Sequence, residues 1–348
     1  MSGAQGRDDS HSSDAHLNVS SAYAGSSVLI TGGLGFIGSN LARRLVKAGA
    51  SVTLIDSLIP EFGGNTHNIA DFKDRVTVNL SDVRDSHSLQ ALLPGQDLVF
   101  NLAGQTSHLD SMTDPHTDLA INADAQLSIL EAARSTNPSV RIVFASTRQI
   151  YGRPDCLPVS EDHPIRPVDV NGVNKVAGEW YHLLYHQVYG MPTTALRLTN
   201  TYGPGMRVRD SRQTFLGIWI QQALRNQAIT VFGDGKQRRD FTYVDDCVDA
   251  LLSAGSDPSA IGQVYNLGSE EVVSLGELAA LIVELEPTSR YELIEFPSDR
   301  KSIDIGDYFG SFDRIQQDLG WSPKVSLRDG LTQTLNYYRE HGSYYWDD

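Results

Sequence analysis

Short apolar runs alternate with longer amphipathic stretches along most of the 348-residue chain. From residue 27 onward, helix-like segments separate the runs SVLITGG, SVTLID, RVTVNL, DLVFNLAG, VRIVFAST and TTALRLTN. Strands that are apolar throughout and alternate with helices are typical of a parallel sheet covered on both faces. We therefore predict an α/β fold with a doubly wound parallel sheet of the Rossmann type.

The rhythm loosens after Asn200, where the turns YGPG and FGDG separate short elements. We predict that residues 26–200 form the sheet domain. Residues 201–348 mainly form a smaller α/β lobe over the carboxyl ends of the strands, where such sheets bind ligands, and the chain is free to cross back to the sheet. Residues 1–25 are polar, which predicts a disordered tail without a signal peptide or membrane span.

Composition excludes several kinds of partner and site. The chain has 43 acidic and 28 basic residues and a formal charge of −15, which repels nucleic acid. Cys156 and Cys247 are its only cysteines, so we expect neither a disulfide framework nor a metal site. These features suit a cytoplasmic protein.

A glycine-rich turn follows the first predicted strand. In VLITGGLGFIGSNLARRL, Gly32, Gly35 and Gly38 recur every third residue between a strand and an amphipathic helix. The first two permit a tight turn close to a pyrophosphate, and the third permits close helix packing. The N–H groups at the helix start, near Phe36 and Ile37, then face the phosphates. The pattern predicts a dinucleotide site, although a plain glycine-rich turn has the same spacing.

Further strand ends extend this dinucleotide site. Asp56 ends the run SVTLID, where a carboxylate accepts both ribose hydroxyls and repels a 2′-phosphate, which favours NAD over NADP. Asp82 and Val83 suit the amino group and the ring face of an adenine, with an ordinary turn aspartate as the alternative. Ala103 leaves room for the dinucleotide against the backbone.

Taken in order, these motifs resemble the extended short-chain dehydrogenase/reductase family, specifically its NAD-dependent nucleotide-sugar epimerases and dehydratases of the UDP-glucose 4-epimerase kind. The likeness extends from Val28 to about Gly330 and includes the motifs NLAGQTS, FASTRQIYG, LRLTNTYGPG and FGDGKQRRDFTYVDD. The resemblance implies a bound NAD that takes hydride from a sugar carbon, usually C4.

The resemblance also implies a catalytic set, with one departure. In the family a tyrosine accepts the hydroxyl proton, a lysine grips the nicotinamide ribose, and a Ser or Thr hydrogen-bonds the reacting oxygen. Thr147, beside Ser146, matches the hydroxyl and Lys175 matches the lysine, but Asn171 stands in place of the tyrosine. An amide cannot exchange a proton near neutral pH. Loss of a general base usually costs roughly 10²–10⁴-fold in rate.

No tyrosine elsewhere restores the pattern. Tyr181, Tyr185 and Tyr189 all follow Lys175 at spacings of four, which predicts a helical stripe in the core or at a dimer contact.

Several groups are candidates for the missing proton carrier. His108 and Asp110 follow NLAGQTS, a loop that faces the sugar in the family, and histidine has an unperturbed pKa near 6.5. Ordinary loop polarity is the alternative. Asp169 is a further candidate, unless it only caps the helix that follows it. A water relay from Thr147 would also serve.

The substrate contacts implied by the resemblance lie mostly in the later lobe. Asn200 and Arg239 match residues that meet the sugar diphosphate, and Arg300 matches a second arginine more loosely, at a position where a planar fork suits phosphate. Val231 and Phe232 match the nucleobase contacts. The full implied set is Ser111, Thr147, Asn200, Val231, Phe232, Arg239 and Arg300.

We therefore expect an NAD-dependent nucleotide-sugar epimerase acting at C4 of a UDP-hexose, with UDP favoured by prevalence alone. Dehydration is disfavoured because Arg148-Gln149 replaces the Asp-Glu pair common in the dehydratases. A catalytically degenerate binding protein, and a reductase or decarboxylase on a related sugar, remain alternatives. Helices near residues 116–136 and 170–189 would form a homodimer.

Overall fold

The computed structural model describes residues 21–210, 214–301 and 303–346. Seven of its strands form one parallel sheet, in the spatial order β10-β6-β5-β4-β1-β2-β3. These strands are β1 Ser27–Thr31, β2 Ser51–Asp56, β3 Val76–Leu80, β4 Leu98–Asn101, β5 Arg141–Thr147, β6 Thr193–Leu198 and β10 Val264–Asn266.

The central strands are buried on both faces. Along β1, Leu29 packs into the core on one side of the sheet, whereas Val28 and Ile30 pack into the core on the other. This double burial explains why the strands read as unbroken apolar runs, and it confirms the predicted doubly wound parallel sheet. The strand order reverses between β1 and β4, and a crevice opens at such a switch point.

Helices cover both faces of the sheet. Their bounds are α1 Phe36–Lys47, α2 Ser86–Leu92, α3 His108–Thr113, α4 Pro115–Leu119, α5 Ala125–Thr136, α6 Val170–Tyr189, α7 Phe215–Leu224, α8 Val244–Ser256, α9 Leu275–Leu285, α10 Ser298–Lys301, α11 Asp313–Leu319 and α12 Leu327–His341. A single π-helical turn, Ala120–Asp124, joins α4 to α5.

The residues after 200 build a second lobe and also return to the main sheet. Five strands form two small sheets, with orders β11-β9-β7 and β12-β8. Their bounds are β7 Asn200–Tyr202, β8 Ala228–Phe232, β9 Arg238–Tyr243, β11 Val272–Ser274 and β12 Arg290–Ile294. Strand β10 pairs with β6 through Val264 and Ala195, so the chain crosses back to the sheet.

The predicted tail needs a correction at its end. Residues 1–20 lie outside the described residues, but residues 21–23 form a helical turn. Tyr23 is buried and donates a hydrogen bond of 2.6 Å to the carbonyl oxygen of Leu252. A side chain anchored in the core is not part of a disordered tail, so that prediction is wrong for residues 21–25. Among the helices of the described segments, none has the length and apolarity to cross a bilayer.

Candidate active site

One cavity of about 950 Å³ opens at the carboxyl ends of the central strands. It reaches from the glycine-rich turn and Asp56 at one end to Phe232 and Arg239 in the second lobe, and Lys175 lies in its wall between them. The volume is near the top of the range of about 300–1,000 Å³ usual for small-molecule sites.

The glycine-rich turn forms the floor at one end of the cavity. Gly32 has φ of +69°, a left-handed conformation that favours glycine. A Cβ on Gly38 would lie 2.3 Å from the carbonyl oxygen of Gly32, so only glycine lets α1 pack this close to β1. Gly35, Phe36 and Ile37 line the same floor, with Gly35 at the N-cap of α1. The turn thus presents helix N–H groups to the cavity, as a pyrophosphate site requires.

Asp56 lies at the end of β2 with its carboxylate in the cavity wall. The backbone N–H groups of Leu34 and Leu58 each donate to one of its oxygens, at 3.0 and 2.9 Å. Burial raises the pKa of Asp56, and these two hydrogen bonds lower it only in part. Each oxygen retains a lone pair for a further donor, so the group fits a ribose diol and disfavours a 2′-phosphate.

The other predicted cofactor contacts lie beside this end of the cavity. Asp82, Val83 and Ala103 all line it. Arg84 holds the Asp82 carboxylate through Nε at 2.9 Å and Nη2 at 2.7 Å, and this contact lowers the pKa of Asp82. The N–H of Ala103 donates to the hydroxyl of Thr31 at 3.0 Å, which holds the β4 end against β1.

Lys175 lies inside α6 with its ammonium group buried in the cavity wall. The side chain of Asp169 caps this helix by accepting the N–H of Gly172 at 2.7 Å, so the predicted cap is present. Lys175 Nζ donates to the carbonyl oxygen of Ala145 at 3.2 Å. Burial lowers the pKa of Lys175 to about 8, although Asp118 raises it in part. Lys175 therefore has a pKa close to neutral pH, and it lies between the two ends of the cavity.

Asn171 lies one turn before Lys175 and also borders the cavity. Its amide Nδ2 donates to the carbonyl oxygen of Gln105 at 2.8 Å and to Asp118 Oδ2 at 3.0 Å. Asn174 donates to the other oxygen of Asp118 at 2.8 Å. Both amide protons of Asn171 have protein acceptors, so its carbonyl oxygen is the polar atom left for a ligand.

His108 and Asp169 form a close pair beside Asn171. His108 Nδ1 lies 2.9 Å from Asp169 Oδ2, which is an ion-pair distance. The plane of the imidazole ring does not direct an Nδ1–H at this oxygen, so the contact is not a hydrogen bond. The Asp169 side chain is fully buried, whereas that of His108 is 39% exposed and lines the cavity. Burial raises the pKa of Asp169, but the contacts with His108 and Gly172 outweigh it, so the net shift is downward.

The two hydroxyls at the end of β5 differ in their partners. Ser146 donates to Glu179 Oε2 at 2.6 Å and is thereby committed to a buried group. Within the described part of the chain, Thr147 only accepts a hydrogen bond, from the N–H of Gln149 at 3.2 Å, so its proton is available to a ligand. The tyrosines predicted to form a separate stripe follow the same helix away from the cavity: Tyr185 is buried in the core, and Tyr189 is 54% exposed.

The second lobe contributes the polar groups at the other end. Asn200 Nδ2 donates to the carbonyl oxygen of Asp240 at 2.9 Å, which fixes the amide at the cavity wall. Arg239 is buried and donates to the carbonyl oxygens of Arg238 and Gly306. Burial and a neighbouring guanidinium lower the pKa of Arg239 to about 10.

The remaining predicted substrate contacts divide into two groups. Phe232 and Arg300 line the cavity, with Arg300 Cζ 5.2 Å from the centre of the Phe232 ring. Ser111 and Val231 do not line it. The Ser111 hydroxyl is buried between α3 and α6, where it donates to the carbonyl oxygen of His108 and accepts the N–H of Asn171. We therefore no longer expect a ligand contact from its side chain.

Two residues of the site, Gln105 and Asp118, were not predicted from the sequence, and both hold Asn171. Their role depends on how the chain packs, which leaves no pattern in the sequence. Arg148 was considered only as evidence against dehydration, yet it lines the cavity beside Asn200. Among the described residues, no cluster of three His, Cys, Asp or Glu side chains could hold a metal ion.

Comparison with known proteins assigns the family. The profile of the NAD dependent epimerase/dehydratase family matches residues 28–268. The chain is 32% identical over 316 residues to a UDP-glucose 4-epimerase of Mycolicibacterium smegmatis, which covers 89% of this chain and 98% of that protein. It is 30% identical to a dTDP-glucose 4,6-dehydratase of Streptomyces griseus, over 91% of this chain and 95% of that protein.

A solved epimerase of Methanothermobacter thermautotrophicus has the same fold, with a TM-score of 0.88 and 30% identity, over 94% of this chain and 96% of that one. The chain belongs to the NAD-dependent epimerase/dehydratase family, an extended short-chain dehydrogenase/reductase fold, and its cofactor is NAD.

Proposed function

We propose that the protein is an NAD-dependent nucleotide-sugar epimerase that inverts C4 of a UDP-hexose through a transient 4-keto sugar. The main support for this proposal is one continuous cavity that extends from Asp56 to Arg239. It can hold a dinucleotide at one end and a sugar diphosphate at the other, with Lys175 where the two ligands meet. The M. smegmatis relative, a UDP-glucose 4-epimerase, supports the same assignment.

Oxidation at C4 requires loss of a hydride from carbon and of a proton from the hydroxyl oxygen. When bound, NAD accepts the hydride and returns it. Thr147 has a free hydroxyl proton with which to hydrogen-bond the C4 oxygen. Lys175 lines the cavity between its two ends, where its ammonium would hold the nicotinamide half of the cofactor and would stabilise negative charge that develops on that oxygen.

We propose His108 as the group that carries the hydroxyl proton. Its Nδ1 lies against the buried Asp169 carboxylate, and its imidazole borders the cavity. In this proposal the imidazole rotates until its Nδ1–H points at the carboxylate, which then holds the proton on that nitrogen and leaves the other nitrogen as the base. Asp169 is then a positioning residue, and the pair replaces the tyrosine that Asn171 displaces.

A binding protein without turnover is the second candidate. One observation favours it: Asn171 uses both amide protons on Gln105 and Asp118, so it cannot donate to a sugar oxygen. In that case NAD and the nucleotide sugar bind, but no group removes the proton.

Dehydration is less favoured. Gln149 donates to Asp169 at 2.9 Å and Arg148 donates to Asn200 at 2.9 Å. Neither side chain provides the acid and base pair that elimination of water requires.

We also propose a homodimer formed through α6 and the segment before α5. Exposed apolar side chains on this face are Leu119, Val173, Trp180, Leu184 and Val188. The last three recur every four residues along α6, which aligns them on one side of the helix. A continuous apolar stripe of this kind suits a self-complementary contact with a second copy of the chain.

A conversion assay tests the proposed function. The purified protein is incubated with UDP-glucose, UDP-galactose and their 6-carboxylate counterparts, and NMR quantifies the C4 configuration of the product. We expect interconversion within at least one pair by the natural protein. Binding without conversion, combined with activity only in an Asn171→Tyr variant, would favour the binding protein instead.

A further inference from the structure

Arg148 lines the cavity and has one hydrogen-bond donor without a partner among the described residues. Its Nη2 donates to Asn200 Oδ1 at 2.9 Å, and its guanidinium lies 5.1 Å from the centre of the Tyr308 ring. Its Nη1 is buried and has no hydrogen-bond partner among the described residues. A buried guanidinium N–H without an acceptor is costly, so this geometry favours an acceptor supplied by a ligand.

Arg148 also makes no close ion pair. Within the described segments, no carboxylate approaches it within 4.0 Å, and the nearest for Arg239, Asp304, lies at that limit. The two oxygens of buried Asp240 already accept from the Thr199 hydroxyl and the Gly310 N–H. Arg148 lowers the pKa of Arg239, yet arginine keeps its proton near neutral pH. Two neighbouring cations therefore line this part of the cavity, and Asp240 and Asp304 act on the charge of Arg148 from beyond ion-pair distance.

The neighbours of Arg148 indicate which part of a bound nucleotide sugar its guanidinium would contact. It follows Thr147, whose hydroxyl faces the reacting C4 oxygen in the proposed mechanism, and its guanidinium reaches Asn200, at the diphosphate end. In a hexose bound through C1 to a diphosphate, two sides of the ring join C1 to C4, one through C2 and C3 and the other through the ring oxygen and C5. Of the substituents on these carbons, the one on C5 is an exocyclic carbon that can be a carboxylate. A carboxylate there would meet the planar fork of an arginine in a charge-assisted hydrogen bond.

Resting on the proposed function, we propose that Arg148 binds a carboxylate on C5 of the sugar, so that the substrate class is a nucleoside diphosphate hexuronate rather than a neutral hexose. Arg239 and Asn200 then hold the diphosphate. Tyr308 and Asn200 keep the Arg148 guanidinium oriented toward the sugar.

Binding measurements test this specificity without requiring turnover. Calorimetry compares UDP, UDP-glucose and UDP-glucuronate on the NAD-loaded protein, its Arg148→Gln and Arg148→Lys variants, and an Arg238→Gln control. Arg238 is exposed and lies outside the cavity. Bound NAD, measured after denaturation, reports that each variant is folded.

We expect the natural protein to bind UDP-glucuronate at least about tenfold more tightly than UDP-glucose, the effect of one charge-assisted hydrogen bond. The Arg148→Gln variant should lose this preference and keep its affinity for UDP, while Arg148→Lys retains part of it and Arg238→Gln all of it.

Equal affinity of the natural protein for both sugars would overturn the proposal. A uniform loss for UDP and both sugars in Arg148→Gln would also overturn it, because Arg148 would then contact the diphosphate. Failure to bind UDP at all would overturn the proposed function as well, and this separates the two failures.

Discussion

At the scale of single residues, the surroundings of Asn171 determine which group can carry the proton. A tyrosine at that position would carry the proton itself, but the amide is held by Gln105 and Asp118 instead. The sequence shows asparagine in place of tyrosine at position 171. From the sequence, His108 and Asp169 were separate candidates for the proton carrier. Only the fold shows that these two side chains are 2.9 Å apart, because one begins α3 and the other caps α6.

Substitution of the His108 pair tests the proton carrier. His108→Gln should lower kcat by roughly 10²–10⁴-fold, the usual loss for a general base. Asp169→Asn keeps the helix cap, since asparagine caps as well as aspartate, but removes the charge that faces the imidazole, so we expect an intermediate loss.

The matched control is His87→Gln, which changes an exposed histidine that does not line the cavity. If His108→Gln and His87→Gln have the same kcat, His108 does not carry the proton. The water relay from Thr147 then becomes the better account.

Lys175 gives a second residue-scale prediction, on stability. Its pKa falls from 10.5 to about 8 on burial. Between these values the unfolded chain binds more protons than the folded one, so stability rises with pH across that window, and the full penalty is present below pH 8. Lys175→Met should therefore stabilise the NAD-free protein at pH 7, on the order of 2 kcal/mol, and abolish activity.

Thermal unfolding of NAD-free samples at pH 7 and pH 9.5 measures this effect, with Lys236→Met at an exposed position as the control. The activity of the natural protein should decline as pH rises through 8, because Lys175 loses its charge there. A lower unfolding midpoint for Lys175→Met at pH 7 would contradict the assigned cost of burial.

At the scale of secondary structure, helix α6 contributes residues both to the cavity and to an exposed apolar surface. Its first turns place Asn171 and Lys175 on the cavity, whereas Trp180, Leu184 and Val188 lie exposed on another side. Asp169 begins the helix as its N-cap, and Gly190, with φ of +69°, ends it. A single helix thus links the proposed catalytic centre to the proposed dimer contact.

Charge placed on the exposed face of α6 should dissociate the dimer. We expect Trp180→Glu combined with Leu184→Glu to convert a dimer into a monomer in sedimentation equilibrium, because two buried charges per subunit would face their own copies. Leu80→Glu, at a similarly exposed apolar position on β3, should leave the mass unchanged. A natural protein that sediments as a monomer would refute the dimer.

The sequence predicted the elements better than their junctions. Unbroken apolar runs identified the central strands, because burial on both faces leaves a strong pattern. The π turn at Ala120–Asp124 and the buried position of Ser111 left no such pattern, since both depend on how α3 to α6 pack together. Tyr23 was assigned to a tail because a single apolar residue in a polar segment does not reveal a distant partner.

At the scale of the whole molecule, the two lobes share one cavity. The sheet supplies the dinucleotide end, through the glycine-rich turn and Asp56, and the second lobe supplies Arg239. The strand rhythm and the motif order predicted this division. The unpartnered donor of Arg148 could not be predicted, because it depends on which carboxylates the fold leaves out of reach.

The central claim is that hydride leaves C4 of the sugar and returns to the same carbon. The most direct measurement uses UDP-hexose and UDP-hexuronate deuterated at C4, with NMR of both C4 epimers after incubation in ordinary water. We expect the C4 epimers to interconvert and each to retain deuterium at C4. Loss of the label to solvent during conversion, or no conversion of any nucleotide sugar by protein that holds NAD, would contradict it.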